Sequence, residues 1–227
     1  MNESCLAASK VTKDYPSGSS SLHVLRGVDL KVERGQSVSI VGRSGAGKST
    51  LLHILGALES PSAGEVELEG RAIFALEDQQ RSRLRNRKLG FVFQFHYLLA
   101  EFSALENVSM PLLVRGESAA VAAAKASAIL AEVGLADRLH HRPAQLSGGE
   151  QQRVAVARAL VHEPDFVLAD EPTGNLDAEN RKTVTELLFS GLESRGMGFI
   201  LVTHDETLAG MTEKVYLLEE GVLKTIR

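Results

Sequence analysis

Gly42-Arg43-Ser44-Gly45-Ala46-Gly47-Lys48-Ser49 stands between two stretches of opposite character. Before it, residues 37–41 (SVSIV) are apolar and β-branched enough for a buried strand; after it, Leu51, Leu52, Leu55 and Leu58 recur at helical spacing. Strand, glycine-rich loop and helix in that order, with every fixed position of G-x-x-x-x-G-K-[ST] filled, predict a phosphate-binding loop. The glycines let successive backbone N–H groups point at one anion, and the helix adds its positive end. Lys48 is placed to reach the β- and γ-phosphates of a nucleotide, and the Ser49 hydroxyl to ligate the Mg²⁺ that bridges them. Gly42, Arg43, Ser44, Gly45, Ala46, Gly47, Lys48, Ser49 and Thr50 are therefore the candidate nucleotide contacts.

Such a loop needs an acid for its metal. Residues 166–169 (FVLA) form a short apolar strand that ends in Asp170-Glu171. One carboxylate, Asp170, suffices for Mg²⁺, which leaves Glu171 free to orient or deprotonate an attacking water. Further back, Ser147-Gly148-Gly149-Glu150 opens another helix. Ser147 and Glu150 are spaced as a capping box. The two glycines between them are not needed for capping and cost helix propensity of about 1 kcal/mol each. What they do is leave the helix N-terminus bare, as a phosphate requires.

Working outward, residues 28–32 (VDLKV) and 65–69 (EVELE) alternate as half-exposed strands, with residues 16–21 (PSGSSS) as a turn or loop. Residues 77–88 read as a solvated helix rich in Arg and Gln, and helices are expected over 118–133, 147–161 and 178–194, with a break at residues 140–143. Residues 199–202 (FILV) form a buried strand, and residues 215–218 with 222–224 a closing hairpin. Strands alternating with helices imply an α/β chain with a mostly parallel sheet. The antiparallel piece near the start is expected as a subdomain of its own, and residues 92–160 as a helical insertion into a core of 1–91 and 161–227.

The size agrees. At ~150 residues per domain, 227 residues make one large domain or a core with an insertion. With 44% hydrophobic and 24% charged residues the chain is neither disordered nor a disulfide scaffold, and Cys5 is its only cysteine. The start MNESCLAASK has neither the basic nor the apolar region of a signal peptide, so the cytosol is the expected compartment. A balance of 25 basic against 29 acidic residues gives no reason to expect nucleic acid as a partner. No apolar run approaches the ~18 to 20 residues that span a bilayer, so work at a membrane needs a borrowed anchor. No H-E-x-x-H spacing or cysteine cluster suggests a metal site apart from the Mg²⁺ of the nucleotide.

The loop at residues 42–49, LSGGEQQR at 146–153, VLADEPTGNLD at 167–177, Gln94 and His204 together resemble the ATP-binding-cassette (ABC) ATPases, in the same order and across nearly the whole chain. The resemblance implies ATP and Mg²⁺ as ligands. It implies that Tyr15 stacks on adenine, that Gln94 contacts Mg²⁺ and the water, and that His204 contacts the γ-phosphate and positions the water. It further implies that Ser147, Gly148, Gly149 and Glu150 close on the nucleotide of a second copy in a head-to-tail dimer, whose interface the loop of Asp177 crosses. Residues 91–99 (FVFQFHYLL), 102–108 (FSALENV) and 110–113 (MPLL) are similar to the ATPases of lipoprotein-releasing Lol systems. The MacB-type and FtsE-type groups, which share Gly174-Asn175-Leu176-Asp177 but usually lack Phe-His after the glutamine, remain the alternatives. Arg43 and Ala46 depart from the smaller or serine residues frequent in the Lol group. This implies integral membrane permease partners of the LolC and LolE kind, contacted through exposed aromatics, and a peripheral place on the cytoplasmic face of an inner membrane. A soluble ABC ATPase acting on ribosomes or DNA fits poorly, because the chain holds one cassette and no heptad run.

Overall fold

The computed structural model describes residues 5–17 and 20–227. Its strands are β1 (Cys5–Ser17), β2 (Ser20–Glu33), β3 (Ser37–Val41), β4 (Ala63–Leu68), β5 (Arg71–Ala72), β6 (Leu89–Phe93), β7 (Phe166–Asp170), β8 (Gly198–Val202), β9 (Lys214–Glu219) and β10 (Val222–Thr225). The helices are α1 (Lys48–Leu55), α2 (Asp78–Lys88), α3 (Ala104–Arg115), α4 (Ala119–Glu132), α5 (Gly148–Leu160), α6 (Ala178–Arg195) and the single turn α7 (Glu206–Ala209).

Six strands form the central sheet in the order β10-β9-β3-β8-β7-β6. Neighbours from β9 to β6 run parallel, and β10 adds an antiparallel edge. β7 and β8 are buried almost throughout and read as continuous apolar runs, as strands covered on both faces do. Successive side chains then go to opposite cores. Val167, Ala169, Phe199 and Leu201 join a cluster with α3 to α6, while Phe166, Leu168, Ile200 and Val202 join another with α1 and the antiparallel sheet β2-β1-β4-β5. The helical segment therefore has no core of its own: Val108, Leu112 and Ile129 share one with Val184 and Leu201.

Several boundaries differ from expectation. Pro16 pairs with Ser21 and Ser17 with Ser20, so strand pairing enters the segment expected as a loop; its tip, Gly18-Ser19, lies outside the described residues. Leu58 is off α1 and 46% exposed, because Gly56 ends the helix. A Cβ at Gly56 would meet the Phe91 ring at 2.5 Å. Val92 and Phe93 close β6 in the central sheet, so the helices expected from residue 92 begin only at Ala104. α3 contains Pro111, the residue type that most weakens a helical reading of sequence.

What positions the site is the sheet edge. Gly42 follows β3, His204 follows β8, Asp170 ends β7 and Gln94 follows β6. All four leave the carboxyl ends of adjacent parallel strands, where open α/β sheets bind ligands.

Candidate active site

At the loop after β3, glycine is required by both space and backbone. Gly42, Gly45 and Gly47 have φ of 155°, 78° and 98°. A Cβ on Gly42 would fall on the Leu218 carbonyl oxygen, and one on Gly47 would lie 2.7 Å from Val24 Cγ1. Gly47 is also the N-cap of α1 and supplies no side-chain cap, so the first-turn N–H groups are left for an anion. Lys48 lies along the inside of the loop, its Nζ donating to Gly42 O at 2.9 Å and Arg43 O at 3.1 Å. Ammonium, helix N-terminus and loop N–H groups thus converge where phosphates would sit.

Opposite them, the Ser49 hydroxyl lies beside the Asp170 carboxyl. Burial pushes the Asp170 pKa up, against the pull of Ser49, His53 and Lys48 and with the charge of Glu171 adding to it. Glu171 follows with φ of 45°, a left-handed backbone that for a non-glycine residue costs about 1 to 3 kcal/mol. Its N–H donates to Val202 O at 2.9 Å, and its carboxylate accepts from Thr203 Oγ1 at 3.1 Å. His204 Nδ1 lies 2.7 Å from Glu171 Oε1, and since a carboxylate only accepts, that nitrogen carries the proton. Gln94 Nε2 donates to Asn175 Oδ1 at 3.1 Å, over Gly174, where a Cβ would press on the Gln94 amide.

Ser49, Gln94, Asp170, Glu171 and His204 line one cavity of about 510 Å³ that also takes in Tyr15, Ser44, Gly45, Gly47, Lys48 and Thr50. Gly42, Arg43 and Ala46, also expected as nucleotide contacts, are not in its wall. Tyr15 is braced: its hydroxyl donates to Glu59 Oε1 at 2.6 Å, and Lys13 Nζ lies 2.9 Å from the same oxygen and 5.0 Å from the ring centroid. Burial and the hydrogen bond to Glu59 push the Tyr15 pKa up.

Ser147, Gly148, Gly149, Glu150 and Asp177 do not line this cavity. Ser147 caps α5 as expected, with Glu150 closing the box and Arg138 Nε donating to Glu150 Oε1 at 3.0 Å. The two glycines differ. A Cβ at Gly148 would meet open space, whereas one at Gly149 would fall on Asn180 Oδ1. Asn180 donates to Asp177 Oδ2 at 2.7 Å, so the Asp177 loop and the start of α5 are packed together. Within one chain these residues form a second assembly, outside the cavity that holds Lys48 and Ser49.

Sequence reading missed Thr203, Asn175, Glu59 and Lys13. Thr203 and Asn175 carried a faint signal, Thr203 being next to His204 and Asn175 lying within Gly174-Asn175-Leu176-Asp177. Glu59 carried none, because it meets Tyr15 across 44 residues of chain through the pairing of β1 with β4.

A second cavity, of about 430 Å³, lies between α2, β6, α3 and α5, with Phe91, Phe93, Leu99, Met110 and Pro111 in its wall. Phe95, Tyr97 and Phe102 stand out beside β6 and α3 with 64%, 67% and 38% of their surfaces exposed. The Arg158 guanidinium holds this segment by donating to Tyr97 O and His96 O, each at 2.7 Å. Among the described residues no helix is long and apolar enough to cross a membrane.

Comparison with known proteins matches residues 25–174 to the family described as ABC transporter. The "Lipoprotein-releasing system ATP-binding protein LolD" of Saccharophagus degradans is 54% identical over 94% of this chain and 93% of its own length. The protein of the same description from Hahella chejuensis is 50% identical over 100% of this chain and 98% of its own. Among solved structures, the dimeric post-hydrolysis state of the ATP-binding cassette MJ0796 bound to ADP and Pi superimposes with a TM-score of 0.90 at 37% identity, covering 98% of this chain and 99% of that one.

Proposed function

The chain belongs to the ABC transporter ATPases, and from that premise we propose that two copies bind ATP between the phosphate loop of one and the Ser147–Glu150 segment of the other. It is an ATP hydrolase, the ATP-binding subunit of a lipoprotein-releasing transporter. The observation that carries the reading is the distribution of the site: a phosphate cradle, a metal-binding pair and a water-orienting pair share one cavity, while the exposed glycine helix N-terminus faces elsewhere. A helix N-terminus presenting bare Gly148 is of use to a phosphate only when another chain brings the phosphate to it.

In this mechanism Tyr15 stacks on adenine, and the loop N–H groups with Lys48 bind the β- and γ-phosphates. The donor set fits a hard cation: the Ser49 hydroxyl and Asp170 carboxylate meet beside the phosphate seat, with the Gln94 amide on the same wall. Ser49, Asp170 and Gln94 would hold Mg²⁺, which when bound neutralises phosphate charge. Glu171 accepts a hydrogen bond from water in line with the γ-phosphate and serves as general base. Its carboxylate is held for that task by Thr203 and His204, and His204 is placed to turn its other ring nitrogen to the γ-phosphate. The Asp177 loop crosses to the partner cassette.

We read residues 1–91 and 161–227 as the nucleotide-binding core and 92–160 as the arm that carries Gln94 and Ser147. The groove beside Phe95 and Tyr97 receives a short helix of an integral permease, since exposed aromatics around an apolar trough are the anchors such contacts use. Closure of the dimer then pulls on the permease from the cytoplasmic face of the inner membrane.

The test is Glu171→Gln. Phosphate release should fall by at least about 100-fold with ATP binding intact, trapping an ATP-bound dimer on a sizing column. Turnover at the wild-type rate would remove Glu171 as the base.

A further inference from the structure

We infer that Gln152 is a positioning residue for hydrolysis, clamping the segments that carry Gln94 and Glu171 to the helix that carries Ser147 and Gly148. The inference rests on the roles proposed above for Gln94 and Glu171. Gln152 lies one turn past Gly148 on α5 and is 1% exposed. Its Nε2 donates to Pro172 O at 2.6 Å and to Phe93 O at 3.4 Å. Pro172 is the residue after Glu171, and Phe93 is the residue before Gln94.

The place is telling. Phe93 and Asp170 are the last pair of the β6/β7 ladder. Beyond it the two strands part, one toward Gln94 and one toward Glu171, and the Gln152 amide bridges the departing chains as an added rung. Its orientation follows from chemistry, because a flipped amide would set its oxygen against two carbonyl oxygens. The bridge is reinforced from the far side, where Gly174 N donates to Glu171 O at 3.1 Å and Asn175 Nδ2 donates to Gln94 O at 3.4 Å.

Gln152 Oε1 is buried and has no hydrogen-bond partner among the described residues. An unpartnered buried acceptor is a standing cost that methionine or leucine would avoid, so packing gives no reason for an amide here. The NH₂ group does: it alone on α5 reaches both carbonyls. When a second copy engages Gly148 and shifts α5, the shift passes through Gln152 to Gln94 and Glu171 together, so nucleotide closure and water placement are coupled.

Gln152→Met and Gln152→Glu in the full chain test this, with phosphate release read for kcat and KM and a fluorescent ATP analogue reading occupancy of the phosphate loop. Met keeps the length and the fold without a donor, and kcat should fall at least about 10-fold with analogue affinity changed less than about twofold. Glu places a carboxyl against two carbonyls, where only its protonated form donates to Pro172 O. Its kcat as a ratio to wild type at the same pH should recover as pH falls, while the same ratio for the Met variant stays flat and analogue binding of each variant relative to wild type stays constant. Wild-type kcat in the Met variant, a Glu variant without acid recovery, or losses of kcat and analogue affinity in equal proportion would each overturn the proposal. Failure of the underlying reading shows separately, as an active Glu171→Gln enzyme.

Discussion

α1 starts from Gly47, which is left-handed and offers no side-chain cap, whereas α5 starts from Ser147, whose Oγ accepts from Glu150 N at 3.2 Å while Glu150 Oε2 accepts from Ser147 N at 2.8 Å. Both helices are led by glycine, and both present N–H groups. In α1 the glycines are dictated from within, since Cβ atoms at Gly42 and Gly47 would strike the chain's own Leu218 and Val24. In α5 the box consumes one first-turn donor, and Gly148 is left facing open space. On the proposed reading, the loop after β3 is a site complete in one chain, and the α5 terminus is supplied ready-capped to another. A self-sufficient anion site needs many free donors, while a trans-acting one needs rigidity before its ligand arrives.

The largest effect should separate the two at once. Lys48→Ala removes the ammonium from the cradle and should weaken ATP binding to isolated chains by at least about 100-fold, roughly 2.7 kcal/mol, as read by titration calorimetry. If affinity barely changes, the loop is not the primary phosphate site. Gly149→Ala comes next: its methyl would fall on Asn180, so α5 and the Asp177 loop must separate, and turnover should drop on the order of 100-fold with ATP affinity of single chains nearly unchanged. Gly148→Ala, facing open space, should be milder by about tenfold in the same assay. Reversal of that order would break the contrast between the packed and the presented glycine.

Smaller effects report the cap itself. Ser147→Ala should cost about 1 kcal/mol, or ~2 to 4 °C in melting temperature for a chain of this size, measurable by calorimetry. Nucleotide affinity at the phosphate loop should not follow it. The smallest effect is in pH. The Ser147 backbone N–H holds the Glu150 carboxyl below its ordinary range, with Arg138 assisting. A depressed carboxylate stabilises the fold above its unfolded pKa, and that contribution is lost as pH falls through the folded value. Protection factors of the amides at the start of α5, with the intrinsic exchange rate divided out, should therefore fall on acidification below about pH 4.5 in the wild type. Glu150→Gln should flatten that response, and an unchanged slope would assign the acid sensitivity to other groups.

The parallel sheet, the glycine-rich turn after β3, the strand end at Asp170-Glu171 and the Ser147 cap were legible because each is local: a run of apolar residues, a turn that only glycine can make, an N-cap three residues from its partner. α3 was harder, since Pro111 weakens its pattern and only the core shared with α4 and α5 makes the helix worthwhile. Leu58 was misplaced for the converse reason, its spacing continuing past a glycine that the Phe91 ring leaves no room to replace.

What the sequence determined by itself is the chemistry available at each strand end, because a strand–loop–helix unit carries its own instructions over about ten residues. Only the tertiary structure decided how those ends meet. Thr203 and His204 reach Glu171 because β8 lies beside β7, Glu59 reaches Tyr15 because β4 pairs with β1, and Gln152 reaches two carbonyls because α5 crosses the β6/β7 edge. The partners in those contacts stand 20 to 59 residues apart, and bringing them together depends on sheet order and helix packing, which no local pattern encodes.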